Sequence, residues 1–322
     1  MKKEMVNELI GVMRERIPKG SNLANSLMEI LCMGKEAIYR RLRGEVAFTF
    51  EEVSLISQHL GISLDKIVGR RMLNDTMFDL NLLHTGDPIE SYYEILVRYA
   101  KLFDLLRDDP TASVATASNL IPFTFYSPYE CLSKFRLGRW IYHHGKMKPP
   151  ASLSDLQVPD KVPQMHWKLS ASIRQLSHTS FIWDYNIFRS IVKEIRYFAG
   201  LDLLSAEDVR NMKKELGLLL SELEAVTTTG EFSKGHSLAI YLSDINFEAT
   251  YTYVEKGDFQ ACLFRVYSIN SMDSQNPRMC NIQKNWIQSL KRHSTLISQS
   301  SEIQRRQFFN EQREIVESLQ EA

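Results

Sequence analysis

The sequence predicts an all-α N-terminal domain of five short helices, followed by a larger α+β domain with a small antiparallel sheet and several helices. Three observations carry this. From residue 1 to residue 72, apolar residues recur at helical spacing in short runs broken by Gly or Pro. Later, three runs at 237–245, 247–257 and 258–270 are rich in β-branched and aromatic residues and bounded by turn residues. Amphipathic runs with charged outer faces surround those three.

In chain order, MVNELIGVMRERI aligns Met5, Leu9, Val12, Met13 and Ile17 on one stripe, and Pro18-Lys19-Gly20 ends it. Ser21 or Asn22 caps the next helix, whose apolar face is Leu23, Leu27, Ile30 and Leu31. Gly34 breaks the pattern. Ala37, Ile38 and Leu42 then form a short stripe that Gly44 terminates. Thr49 and Glu52 stand at capping-box spacing before FEEVSLISQHL, with Val53, Ile56 and Leu60 inward and Gly61 as the stop. SLDKIV, after a Ser63 cap, is the fifth helix.

A polar stretch from Asn74 to Asp87 follows, and Gly86-Asp87-Pro88 marks a boundary. The next helix carries Ile89, Tyr92, Leu96, Tyr99, Phe103 and Leu106 at alternating steps of three and four. That stripe is either a core face or a dimerising seam. The organisation expected is thus residues 1–72 as one domain, 73–108 as a linker and candidate dimerising connector helix, and 109–322 as an α+β sensor or oligomerisation domain.

Residues 113–126 suit a strand or two, 129–144 a helix, and 144–164 a loop. Helices are expected near 165–178, 184–199 and 205–226, the last opening on Ser205 and Asp208 at capping-box spacing. The three β-rich runs form an antiparallel meander, the last two joined by a Lys256-Gly257-Asp258 turn. Residues 281–297 and 301–319 close the chain as helices.

Composition narrows the function. Among 322 residues, 39 cations balance 39 anions, which excludes a generally basic nucleic-acid coat and leaves room for a local patch. The 44% hydrophobic content argues against disorder. Cys32, Cys131, Cys262 and Cys280 are scattered and suit free thiols in a reducing compartment. No His/Cys cluster stands at metal-ligand spacing, and the His143-His144 doublet reads as ordinary histidines. No run approaches the ~18 apolar residues of a membrane span, and acids and Asn interrupt the N-terminal apolar stretch. A cytoplasmic protein without a membrane partner is expected.

No phosphate-binding, dinucleotide-binding or nucleophile-elbow motif is present. The carboxylate pairs Asp108-Asp109 and Glu51-Glu52 sit at element ends. No catalytic residue, metal ligand or cofactor is assigned, and the chain reads as a non-enzyme. An aromatic concentration, Phe123, Phe125, Tyr126, Tyr129, Trp140 and Tyr142, is either core or the wall of a ligand pocket.

One stretch carries chemistry. GKEAIYRRLRGE, residues 34–45, packs Lys35, Arg40, Arg41 and Arg43 into a chain of zero net charge. It lies inside LMEILCMGKEAIYRRLRGEVAFTFEEVSLISQHLGISLDKIV, residues 27–68. This resembles the helix-turn-helix of lambda repressor and Cro-type transcription regulators. Leu27, Leu31, Ile38 and Gly44 fall at the family spacing, and HLGISLDKIV resembles the end of its fourth helix. Three positions depart: Gly34 stands in place of a capping Ser or Thr, Cys32 replaces the turn Gly, and Arg41-Leu42 shifts the apolar position by one. The resemblance covers about a fifth of the chain.

It implies a recognition helix at 35–43 in the major groove of double-stranded DNA and a homodimer reading two half-sites. On such a helix Ile38 and Leu42 face inward, while Lys35, Glu36, Tyr39 and Arg43 face outward at steps of three and four. Arg43 suits a guanine edge, Glu36 a cytosine amino group, and Lys35 and Tyr39 phosphate. Arg40 and Arg41 flank the face as backbone contacts, and Asn22 offers a phosphate contact at the preceding helix N-terminus. A small-molecule or peptide effector sensed by residues 109–322 completes the expected regulator. The competing readings are a protein-interaction or peptide-binding regulator with a mostly helical C-terminal domain, and an enzyme carrying a DNA-targeting head.

Overall fold

The computed structural model describes residues 2–17, 22–62, 64, 78–80, 87–144, 152–246, 249–266 and 268–319. The chain divides into two compact units, 1–77 and 78–322.

The first unit contains α1 (Lys2–Arg16), α2 (Leu23–Leu31), α3 (Lys35–Leu42) and α4 (Phe50–Leu60). The fifth helix expected at 63–68 falls almost wholly outside the described residues. Local chemistry sets each boundary. The Asn22 side chain accepts from the Ala24 N–H at 2.8 Å and caps α2. Thr49 and Glu52 form the reciprocal capping box of α4, and Gly61 closes it in the left-handed region at φ 62°. Inside lie Leu9, Met13, Ala24, Leu27, Ile38, Ile56 and Ile62.

The second unit holds a nine-stranded mixed sheet. Its strands are β1 (Asp79–Leu80), β2 (Ser113–Ser118), β3 (His178–Asp184), β4 (Glu231–Ser233), β5 (His236–Ser243), β6 (Tyr251–Lys256), β7 (Phe259–Arg265), β8 (Ser271–Ser274) and β9 (Ser294–Leu296). The order is β1-β8-β7-β6-β2-β3-β5-β4, with β9 also on β5. Strands β2, β3 and β5 run parallel, and β6, β7 and β8 continue antiparallel from β2. The helices are α5 (Pro88–Leu106), α6 (Phe123–Tyr126), α7 (Glu130–His144), α8 (Lys161–Arg174), α9 (Ile187–Ala199), α10 (Ala206–Thr229), α11 (Pro277–Arg292) and α12 (Glu302–Glu317).

Alternation along the strands sorts side chains between two layers. Val114, Phe181, Trp183, Ile240, Val254 and Leu263 join the larger core with the helices. Ala117, Ile182, Tyr253 and Cys262 face the opposite way, against Cys280, Ile287 and Leu290 of α11.

Several expectations change. The sheet is neither small nor purely antiparallel. Strand β5 leaves the expected meander and pairs parallel with β3, so only β6 and β7 form the hairpin around Gly257 (φ 52°). The sheet is incompatible only with a wholly helical C-terminal domain. The stripe on α5 is core: Tyr92, Leu96, Phe103 and Leu106 are buried within the second unit, and the Trp140 indole N–H donates to the Pro88 carbonyl at 2.7 Å. A helix with that face already covered has no seam left on it for a partner. The loop expected over 144–164 gives way to α8 from Lys161.

Two details show how long-range contacts fix this unit. Asp208 caps α10 and its Oδ2 also accepts from Ser152 Oγ and the Leu153 N–H, at 3.0 and 3.1 Å. Burial opposes its charge, but donors from Ser205, and after them Leu153 and Ser152, hold its carboxyl below the usual range. Cys262 and Cys280, far apart in the chain, both point their thiols at the Ser274 carbonyl, at 3.4 and 3.6 Å. The neighbouring thiol and burial keep Cys262 protonated.

Candidate nucleic-acid interface

Helices α2 and α3 are joined by Cys32, Met33 and Gly34. Cys32 is itself left-handed, φ 52° and ψ 41°, and its N–H donates to the Met28 carbonyl. A turn glycine would adopt this conformation without the Cβ penalty, so here Cys32 carries local strain. Gly34 precedes α3 with no side-chain cap; the Ile38 N–H reaches its carbonyl at 3.2 Å.

Ile38 is fully buried and Leu42 packs against the same core, which fixes the rotation of α3. Lys35, Glu36, Arg40 and Arg43 are therefore exposed. Tyr39 is half-buried and packs on the core edge, with the Lys35 ammonium 6.0 Å from its ring centre. Asn22 is exposed, and its side-chain oxygen is engaged as the α2 cap.

Arg41 is placed differently from the expectation. Its Nε and Nη2 donate to the two carboxylate oxygens of Glu52 at 2.9 and 2.7 Å, and its Nη1 donates to the Ala37 carbonyl at 3.3 Å. The side chain is only 14% exposed. A guanidinium held bidentately on a carboxylate and largely shielded from solvent is turned away from an outside partner. Arg41 thus ties α3 to α4. The hydrogen bonds to Arg41 hold Glu52 below the usual carboxylate range and raise Arg41 further.

The exposed cations are partly answered within the chain. Arg43 reaches Glu45 at 2.7 Å and Glu36 at 3.2 Å, and Arg40 lies 3.6 Å from Glu45. These partners raise the Arg43 pKa, Glu45 first. Exposed pairs of this kind are weak and screened by salt, so they can exchange for phosphate. They also position the guanidiniums along one side of α3. The signal for Arg41's inward turn was in the sequence: Glu52 is both the capping-box acid and its partner.

Among the described residues, no group of three His, Cys, Asp or Glu stands close enough to hold a metal ion, and no helix is long and apolar enough to cross a membrane. No family model, no curated protein and no solved structure matches this chain.

Proposed function

We propose that the protein is a sequence-specific DNA-binding transcription regulator that acts as a homodimer, with α3 in the major groove and the second unit sensing a ligand. The observation that supports this is the two-sidedness of α3. Ile38 and the Arg41–Glu52 pair anchor it from beneath, while Lys35, Glu36, Arg40 and Arg43 share its free side. A helix held this way presents a fixed set of donors, which base reading requires. Arg43 is assigned to a base edge, Arg40 and Lys35 to phosphate, and Asn22 to phosphate at the start of α2.

The test is binding of the full chain to its own upstream DNA across a salt series, with Arg40→Ala and Arg43→Ala alongside. Wild type is expected to prefer one site, with affinity falling steeply as salt rises. Arg43→Ala is expected to narrow the preference over random DNA by about tenfold, whereas Arg40→Ala weakens all sequences alike and flattens the salt slope by about one. Failure of the wild type to bind any DNA at low salt would overturn the proposal.

A further inference from the structure

At the carboxyl end of β2, the second unit has two adjoining cavities that share part of their walls, an outer and an inner chamber. The outer has a volume of about 590 Å³ and the inner about 90 Å³. Arg136 of α7, Arg265 at the end of β7 and Thr250 just before β6 line both. Pairing of Ala117 with Tyr251 and of Arg265 with Ser271 gathers these positions at one end of the sheet. Crevices at the carboxyl ends of parallel strands are where open α/β sheets bind ligands.

The two chambers differ in chemistry. The inner is walled by Leu96, Phe103, Phe123, Leu169, Phe181 and Leu263, and Arg136 and Arg265 are its only charged residues. The outer adds Asn119, Ser268 and the ion pair Arg139–Glu194. Among the described residues, three guanidiniums and one carboxylate line it, an excess of two positive charges.

Arg136 is 9% exposed, donates to the Tyr126 hydroxyl at 2.7 Å and lies 4.4 Å over the Phe123 ring. Its Nε has no hydrogen-bond partner. Among the described residues, no carboxylate pairs with Arg136 or Arg265. Burial, and after it the Arg136 charge, depress the Arg265 pKa. Removing a cation from water costs several kcal/mol unless an anion and hydrogen bonds compensate. Here Arg136 keeps the Tyr126 hydroxyl and the Phe123 ring, and among the described residues neither it nor Arg265 has a carboxylate in direct contact.

We propose that this cavity binds an amphipathic anion, with its carboxylate or phosphate head between Arg136 and Arg265 and its apolar body in the inner chamber. Planar guanidiniums grip either head bidentately. The inner volume is of the order of apolar cavities that take benzene, about 150 Å³, so the body is a short chain or a single ring. Binding of this anion does not depend on the DNA reading.

The experiment is calorimetric titration of the full chain with octanoate and with octyl phosphate, against octanol and inorganic phosphate. At least one amphiphile is expected to bind saturably, about tenfold or more tighter than either control, and the stronger of the two identifies the head. Arg265→Met is expected to lose about tenfold or more in affinity, with Arg265→Lys between it and wild type. Thermal melts of both variants report whether they fold. The proposal is overturned if neither amphiphile binds, if octanol or inorganic phosphate binds as tightly, or if a folded Arg265→Met binds undiminished.

Discussion

Arg41 in the first unit and Arg136 in the second are both withdrawn from water, and they are withdrawn for different ends. Arg41 meets Glu52, eleven residues on, and the pair closes a helix corner. Arg136 meets a phenol, an aromatic face and a second arginine, and no carboxylate among the described residues. A buried cation with its anion is architecture. A buried cation without one marks the place where the protein is incomplete until something binds.

The largest effect that would test this contrast is Glu52→Ala. It strands Arg41 and removes one half of the α4 capping box, so the first unit is expected to lose about 2–4 kcal/mol. Hydrogen exchange at amides 22–62 reports it directly, and unchanged protection there would remove Arg41 from the architectural class.

Next comes His166, buried against Tyr92 and Phe123, its Nε2 3.1 Å from the Tyr92 hydroxyl. Burial, and secondly the Arg136 charge, lower its pKa from 6.5 to about 4. Below pH 6.5 the unfolded chain takes up a proton that the folded chain refuses until about pH 4. The His166 contribution to stability is therefore level above pH 6.5 and falls by about 3 kcal/mol as pH drops to 4. Urea midpoints of wild type and His166→Asn over this range measure it. An equally steep fall in the variant would assign the loss to other groups.

The smallest effect is the sharpest. In ligand-free protein, Arg265→Met is expected to be neutral or up to about 1 kcal/mol stabilising, whereas Arg41→Met costs about 1–3 kcal/mol. If Arg265→Met destabilises as much as Arg41→Met, the two arginines belong to one class and the comparison fails.

The first unit was largely legible because its determinants are local. Asn22 caps two residues ahead, Thr49 and Glu52 act three apart, and the apolar stripes of α2 and α3, through Leu27 and Ile38 respectively, each follow helical spacing. Two side chains were misplaced: Tyr39, expected outward, packs on the core edge, and Arg41 turned inward because proximity to Glu52 outweighed its polar position on α3. In the second unit the Ser205–Asp208 box and the Gly257 hairpin were equally local and equally readable. Strand β3, HTSFIWD, was not: it is buried on both faces, so it lacks the alternation that marks a half-exposed strand. Strand β9 is three residues at the end of a helical run, and only its pairing with β5 defines it. The aromatic concentration resolved mostly as core, with Phe123 alone of its members on the inner chamber wall.

The sequence alone determined the helices of the first unit, the caps at Asn22, Thr49 and Ser205, the basic face of α3 and the existence of strands near the C-terminal half, since each rests on residues a few positions apart. Only the tertiary structure decided that β5 joins β3, that the α5 stripe is core, that Cys262 meets Cys280, and that Arg136 and Arg265 face one cavity. Those outcomes depend on which distant segments gain most by burying apolar surface together, and no spacing along the chain encodes that competition.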